Sequence, residues 1–261
     1  MWDHDHESLA VLVLCVYAGV PATWVLISAL RCRHGWQAWL LFVVTRLYCG
    51  LAFRWRANRP CPFPDQGPGI VMANHRSPVD PMLILMNNHL RTPRGRFRVI
   101  GFLMAHEYYA TRGIAWINQA MQSIPVTRDG RDLKGSRLAL KRLEQGHLVG
   151  MFPEGGIGDD DALRSANPGV AWLALRSRVP IYPVYIHNAP RGRNMVASFY
   201  TFSRVRLSYG DPIDLSAFYG VKLNRSILQE ATDQMMSELA SLGRRYAVHE
   251  SAESRQQQAG R

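Results

Sequence analysis

Apolar and polar positions divide the chain into two regimes. From Leu9 to Leu30 the sequence runs LAVLVLCVYAGVPATWVLISAL without a charged residue, roughly the 20 apolar residues a bilayer-crossing helix needs. Pro21 is expected to kink it. A second apolar stretch, residues 36–53, carries Arg46 in its middle and several aromatics, which suits an interfacial or re-entrant helix better than a span. Together they predict a hydrophobic two-helix anchor; the alternative is a pair of buried core helices.

After this the pattern changes. Residues 59–69, RPCPFPDQGPG, are rich in breakers and read as a linker. Beyond it, short apolar runs alternate with helical periodicity. Strands are predicted over 69–73, 97–103, 123–127, 148–152, 181–186 and 204–209, and helices over 78–90, 108–121, 135–145, 168–178 and 224–247. Such alternation predicts an α/β fold, a mixed and mostly parallel sheet flanked by helices, preceded by the N-terminal membrane-associated segment. The expected organisation is an anchor over 1–58, a main domain over 59–247 and a loose polar tail over 248–261. No internal repeat is present.

Composition sharpens the membrane reading. The chain has 261 residues and a formal net charge of +11, which predicts an anionic partner: phospholipid headgroups, an acidic soluble substrate or nucleic acid. No Asp or Glu occurs from Ser8 to Pro64, whereas Arg31, Arg33, Arg46, Arg54, Arg56 and Arg59 fall there among apolar runs. Basic residues flanking apolar segments match an anionic membrane surface rather than nucleic acid. The acidic start MWDHDHE and the basic RCRH after the first apolar run place the main domain on the cytoplasmic face of the membrane. Cys15, Cys32, Cys49 and Cys61 are too widely spaced for a metal or redox pair and read as reduced structural thiols. His4 and His6 lack a third ordered ligand, so no metal is expected.

Candidate chemistry begins where the run 70–73, IVMA, stops in NHRSPVD, residues 74–80. On one regular helix His75 and Asp80 would be rotated by about 140° and could not face each other. Ser77 followed by Pro78, however, predicts a helix start with Ser77 as N-cap. His75 then lies in the turn before the helix, where its imidazole can fold onto the Asp80 carboxylate. A carboxylate on one ring nitrogen fixes the tautomer and frees the other nitrogen to take a proton from a hydroxyl. The competing reading is a capping box, in which Asp80 bonds back to the Ser77 amide and His75 is a plain loop residue. A second stretch, FPEGGIG over 152–158, again ends a strand with an acid, Glu154, and glycines that allow close backbone approach. Here too a solvated glycine turn is the alternative.

Taken in order, His-x4-Asp in NHRSPVD, the arginine of SIPVTRDG, FPEG and the strand VPIYPVYI resemble the four motif blocks of the glycerol-3-phosphate and lysophospholipid acyltransferase family. The resemblance covers about residues 69–187, and the hydrophobic segments before it resemble that family's membrane anchor. It implies transfer of a fatty acyl group from acyl-CoA or acyl-carrier protein to a lipid hydroxyl, by default that of 1-acyl-sn-glycerol-3-phosphate, giving phosphatidic acid. It further implies that His75 and Asp80 are catalytic, that Arg128, Glu154 and Gly155 bind the acceptor, and that Asn74, Ser77 and Pro153 support them. VPIYPVYI would line the acyl or thioester side. No cofactor beyond the thioester substrate and no metal is implied, and no G-x-S-x-G elbow suggests a serine nucleophile.

Two departures bear on the acceptor. Where many relatives continue FPEG with Thr-Arg-Ser, this chain has Gly156, Ile157, Gly158 and then Asp159, Asp160, Asp161; where a lysine often lies near Pro-Gly, it has Asn167. Two cationic phosphate contacts are thus missing, with Arg128 and Arg164 as replacements. A neutral, zwitterionic or amino-lipid acceptor, or a non-catalytic lipid-binding relative, therefore stands as the alternative. Chain length, donor type, positional selectivity and oligomeric state are not encoded in any linear motif.

Overall fold

The computed structural model describes residues 3–86, 98–127, 132–158, 162–192, 194 and 196–259, with side chains described between residues 8 and 245 of these. Seven strands, β1 (Arg56–Ala57), β2 (Gly69–Ala73), β3 (Ile100–Ala105), β4 (Ile124–Val126), β5 (Leu148–Met151), β6 (Ile181–His187) and β7 (Arg206–Tyr209), form one sheet in the order β1-β7-β6-β2-β5-β3-β4. All neighbouring strands are parallel except β6 and β7. β2 and β5 are buried along their whole length, which is why they read as unbroken apolar runs rather than alternating ones. The expected mixed, mostly parallel α/β sheet is the observed one.

Helices cover both faces. On one, α2 (Trp36–Ala52) and α3 (Asp80–Met86) pack over Val71, Ala73, Phe102 and Val184. On the other, α6 (Leu133–Glu144), α7 (Gly169–Ser177) and α9 (Arg225–Ala259) pack over Ile70, Met72, Val149 and Met151. Because β2 feeds α3 on the first face and β5 feeds α7 on the second, their loops diverge at neighbouring strand ends. A crevice opens at such a point at the carboxyl edge of a parallel sheet.

Pro183 sits inside β6 without disrupting it. The ladder to β7 begins only at Val184, and Pro183 contributes a carbonyl to Gly210 N instead of a donor. The helix expected over 108–121 is two short ones, α4 (His106–Tyr109) and α5 (Ala115–Ala120). Gly113 at φ 90° interrupts them, and buried Asn118 ties them together by donating to the carbonyls of Tyr108 and Tyr109. Short β1 and α8 (Ala197–Tyr200) carry too little pattern to be read in the sequence. The last helix continues through Ala259, past the expected start of a loose tail at 248.

α1 (Asp3–Leu30) stays helical through Pro21. Its segment Ser8–Leu30 is apolar and exposed, and at 1.5 Å per residue it reaches about 35 Å, enough to cross the roughly 30 Å of a bilayer core. α2 has a different character. Ala38, Phe42, Thr45 and Cys49 are buried against the domain, while Trp36, Leu40, Val44, Leu47 and Leu51 are exposed. It belongs to the core on one side and presents an apolar face on the other, so the expected boundary at residue 58 falls after a helix that already shares the domain's packing.

Candidate active site

The turn after β2 starts from an asparagine. At the end of β2 the main chain leaves the sheet, and the buried Asn74 amide takes its place, accepting from Ile186 N at 2.7 Å and donating to Ile186 O at 3.0 Å. One side chain thereby extends the pairing with β6 by a step and satisfies two backbone groups. The next residue is free to turn outward.

That residue is His75, and the turn delivers it to Asp80: Nδ1 lies 2.9 Å from Oδ2. The same oxygen accepts from Arg76 N at 2.7 Å and Ser77 N at 2.8 Å. The two readings open in the sequence are therefore both realised, since the capping bond to Ser77 N and the imidazole contact share one carboxylate oxygen. Asp80 is fully buried, and among the described residues its Oδ1 has no hydrogen-bond partner. With Asp80 as acceptor, His75 carries its proton on Nδ1 and offers a lone pair at Nε2. Among the described residues Nε2 has no hydrogen-bond partner, and the side chain is 17% exposed. The ring also stacks on Phe152, centroids 4.1 Å apart and planes at 13°, and Phe152 stacks in turn on Phe102 at 5.2 Å.

Ser77 departs from its expected role. The helix begins at Asp80, and the Ser77 hydroxyl donates to Pro190 O at 2.6 Å, with Val79 N only at 3.5 Å. It fastens the turn to the segment after β6 rather than capping α3.

The FPEG segment meets this turn from β5. Glu154 is 8% exposed; its Oε1 accepts from His75 N at 2.9 Å, and its Oε2 from Arg76 Nη1 at 2.8 Å and Arg164 N at 3.0 Å. The Arg76 guanidinium, also buried, donates further to the carbonyls of Ala162 and His75. Arg76 is thus a central residue that sequence reasoning passed over, because nothing in its spacing separates a buried brace from a solvated loop arginine. Gly155 turns the chain at φ 68°, and at Gly158 a Cβ would come within 2.6 Å of Arg76 Nη1, while its N–H donates to His75 O at 2.9 Å. Buried Pro153 lends its carbonyl to Asn167 N.

The turn at 74–80 and the loop at 152–158 are therefore one bonded unit holding His75, Asp80, Glu154, Gly155, Asn74, Ser77 and Pro153. Arg128 lies outside the described residues, as do Asp159, Asp160 and Asp161. β4, which ends two residues before Arg128, is three strands from β2 in the sheet order, about 14 Å along the same edge at strand spacing. Arg164 is exposed, with Nη1 on Ile157 O at 3.1 Å, and so stands over the glycine loop.

This arrangement has an oriented imidazole with one open nitrogen at a carboxyl edge, and can act as a general base on a hydroxyl. No curated protein sequence matches the chain. The fold matches the crystal structure of the 1-acyl-sn-glycerophosphate (LPA) acyltransferase PlsC from Thermotoga maritima, with a TM-score of 0.60, 21% identity, and 90% of this chain and 92% of that chain covered. The acyltransferase family pattern spans residues 56–187, from β1 through the whole of β6 and so across the turn at 74–80 and the loop at 152–158, and the chain belongs to that acyltransferase family.

Proposed function

We propose that the protein moves a fatty acyl group from acyl-CoA or acyl-carrier protein to the free hydroxyl of a lysophospholipid, by default 1-acyl-sn-glycerol-3-phosphate, giving phosphatidic acid. The observation that carries this is the contact of His75 Nδ1 with Asp80 Oδ2 at 2.9 Å, with Nε2 open on the other side of the ring. His75 Nε2 takes the hydroxyl proton as the acceptor oxygen attacks the thioester carbonyl. The tetrahedral intermediate then expels the thiolate, which recovers the proton from the imidazolium. Asp80 keeps the tautomer and balances the imidazolium charge. A thioester is already activated, and general-base help supplies about 10² to 10⁴ in rate.

Glu154 and Gly155 shape the acceptor side as a scaffold: with both carboxylate oxygens engaged by the protein, Glu154 holds the loop and leaves the contacts to its neighbours. Arg128 and Arg164 are the cations proposed for the acceptor's phosphate. α1 anchors the protein in the membrane, and the exposed apolar residues of α2 rest on its cytoplasmic surface, so that lipid reaches His75 without crossing water.

The test is transfer of labelled acyl-CoA by the purified full-length protein to a panel of lysolipids with and without a phosphate monoester. The expected result is turnover of lysophosphatidate that falls about 10² to 10⁴-fold in His75→Ala. Unaltered turnover in that variant would remove the base from the mechanism, and activity confined to neutral, zwitterionic or amino-lipid acceptors would replace the default acceptor.

A further inference from the structure

We infer that the segment 196–205, between β6 and β7, is a second membrane contact that seats the domain on an anionic phospholipid surface beside α2; the inference rests on the membrane seat of α1 and α2 proposed above. The segment carries α8, around which Val196, Tyr200 and Phe202 stand 65%, 79% and 81% exposed. Single apolar residues at a surface are ordinary, but two rings left in water two positions apart, with a valine beside them, mark an interaction surface.

The segment is folded with its polar groups turned inward. Asn194 Oδ1 accepts from Ala197 N at 2.8 Å, the buried Ser198 hydroxyl accepts from Gly192 N at 3.0 Å, and the Thr201 hydroxyl donates to Ala197 O at 2.9 Å. A Cβ at Gly192 would come within 2.3 Å of Ser198 N, so glycine there lets α8 fold back on the chain that leaves β6. Phe199 packs against the core and pins the helix. A loop made for water hides its apolar side chains and shows its polar ones. Here short polar side chains hold the backbone, and large apolar ones face out.

Two contacts lay this segment along the end of α2. The Tyr48 hydroxyl donates to Phe199 O, and Val205 N donates to Phe53 O at 3.0 Å, so Tyr200 and Phe202 fall between them. On α2 the exposed Leu40, Val44, Leu47 and Leu51 follow one another at helical spacing and form one stripe. Around the helix axis Tyr48 is about 40° from Val44 and about 60° from Leu51, so its bond to Phe199 brings α8 to the border of that stripe. A surface that receives the stripe therefore meets α8 as well.

Charge selects the occupant. Neither 8–64 nor 162–210, the stretches that supply the two apolar surfaces, contains an Asp or Glu, while Arg54, Arg56 and Arg204 are exposed where they join. β1 and β7 pair at that junction, Arg56 against Arg206, and Arg206 donates to Arg54 O at 3.2 Å. Aromatic rings rimmed by arginines suit an anionic bilayer, in which rings sit at headgroup depth and cations are drawn to the charged surface. The contact also reaches His75. The Pro190 carbonyl, between β6 and α8, accepts the Ser77 hydroxyl at 2.6 Å, so seating this segment fixes the His75 turn relative to the lipid.

The experiment is photocrosslinking of the full-length protein in phosphatidylcholine liposomes with and without phosphatidylglycerol, with benzoylphenylalanine placed singly at Phe202, Tyr200, Leu47 and Tyr219. Tyr219, whose neighbour Phe218 packs on the opposite sheet face, is the exposed aromatic control. Lipid adducts are expected from Phe202 and Tyr200 as from Leu47, several-fold more with phosphatidylglycerol present, and none from Tyr219. Adducts from Leu47 but not from Phe202 or Tyr200 would overturn this contact and leave that of α2 standing; none from all three would overturn both. A crosslink from Phe202 to a second copy or another protein would give the surface to a protein, and equal yields from the two compositions would overturn the selection of anionic lipid. In kinetics, the double variant Tyr200→Asp/Phe202→Asp, at exposed positions, is expected to raise the KM several-fold for lysolipid presented in liposomes and to leave that for a monomeric short-chain lysolipid unmoved, whichever acceptor headgroup the enzyme uses. An equal rise for both would mean damage to the site itself and overturn the seat.

Discussion

The amide of His75 donates to the buried Oε1 of Glu154 at 2.9 Å, across the gap between the ends of β2 and β5. The acid of FPEG therefore grips the main chain of the proposed base itself, and its second oxygen grips the Arg76 guanidinium beside it. Breaking a buried ion pair by removing one partner costs about 3 to 5 kcal/mol, because the other charge is left unpaired. Glu154→Ala is accordingly expected to lower stability by that order in chemical denaturation. Glu154→Gln keeps the acceptor for His75 N–H but loses the charge opposite Arg76. If Glu154 acts as a brace, the Gln variant loses kcat while the lysolipid KM hardly moves; a KM that rises with kcat preserved would instead place Glu154 on the acceptor.

Asp80 does two jobs with one oxygen, and two substitutions separate them. Asn at 80 can still accept from the Arg76 and Ser77 amides and from His75 Nδ1, with its NH₂ at the place of the unpartnered Oδ1. Asp80→Asn should therefore melt near the wild-type temperature while kcat drops about 10² to 10⁴-fold, since the imidazolium loses its counter-charge. Asp80→Ala orphans two buried amides and should lose stability as well, at about 1 to 3 kcal/mol per donor. Near-wild-type kcat in the Asn variant would show that charge balance is not what Asp80 provides.

The contrast between Asp80 and Arg76 shows what the sequence discloses. Asp80 was legible because Ser-Pro signals a helix start close behind His75, and other local patterns, apolar runs and a glycine cluster, located β2, β5 and the glycine turn at 155. Arg76, Phe152 and Asn74 acquire their roles only from partners 78 residues away in Glu154, 50 in Phe102 and 112 in Ile186; no periodicity reports such contacts. For the same reason α2 was read by its apolar composition as part of the anchor, when one face of it, with Ala38, Phe42 and Cys49, is buried in the core.

Half-buried histidines make stability depend on pH. Burial holds His187 down to about 4, and His147 is also lowered, first by burial and then by Arg142, Arg33 and Arg98. In the unfolded chain both titrate near 6.5. Between those values the unfolded state binds protons that the folded state refuses, so their contribution is complete above about pH 6.5 and is lost as pH falls toward 4. The melting temperature should decline from about pH 7.5 to about pH 5.5, above the ordinary carboxylate range. His187→Asn, which cannot take up the proton, should flatten that decline; an identical slope in the variant would assign the effect elsewhere.

The ring column under His75 offers a test of coupling at a distance. Phe102, Phe152 and His75 stack in series, and a Cβ at Gly150 would come within 2.4 Å of the Phe102 ring. Glycine in β5 is therefore what allows Phe102 to lie where it supports Phe152. Gly150→Ala touches neither substrate nor His75, yet it must push Phe102, at a cost of about 1 to 3 kcal/mol for overpacking, and the displacement passes through Phe152 to the imidazole. We expect kcat to fall several-fold with the donor and acceptor KM values nearly unchanged. Phe102→Leu removes the ring edge that the new methyl strikes, so the double variant should be more active than the two single losses combined would give. That non-additivity is the signature of residues acting through one contact; simple multiplication of the two effects would mean that the column does not carry them.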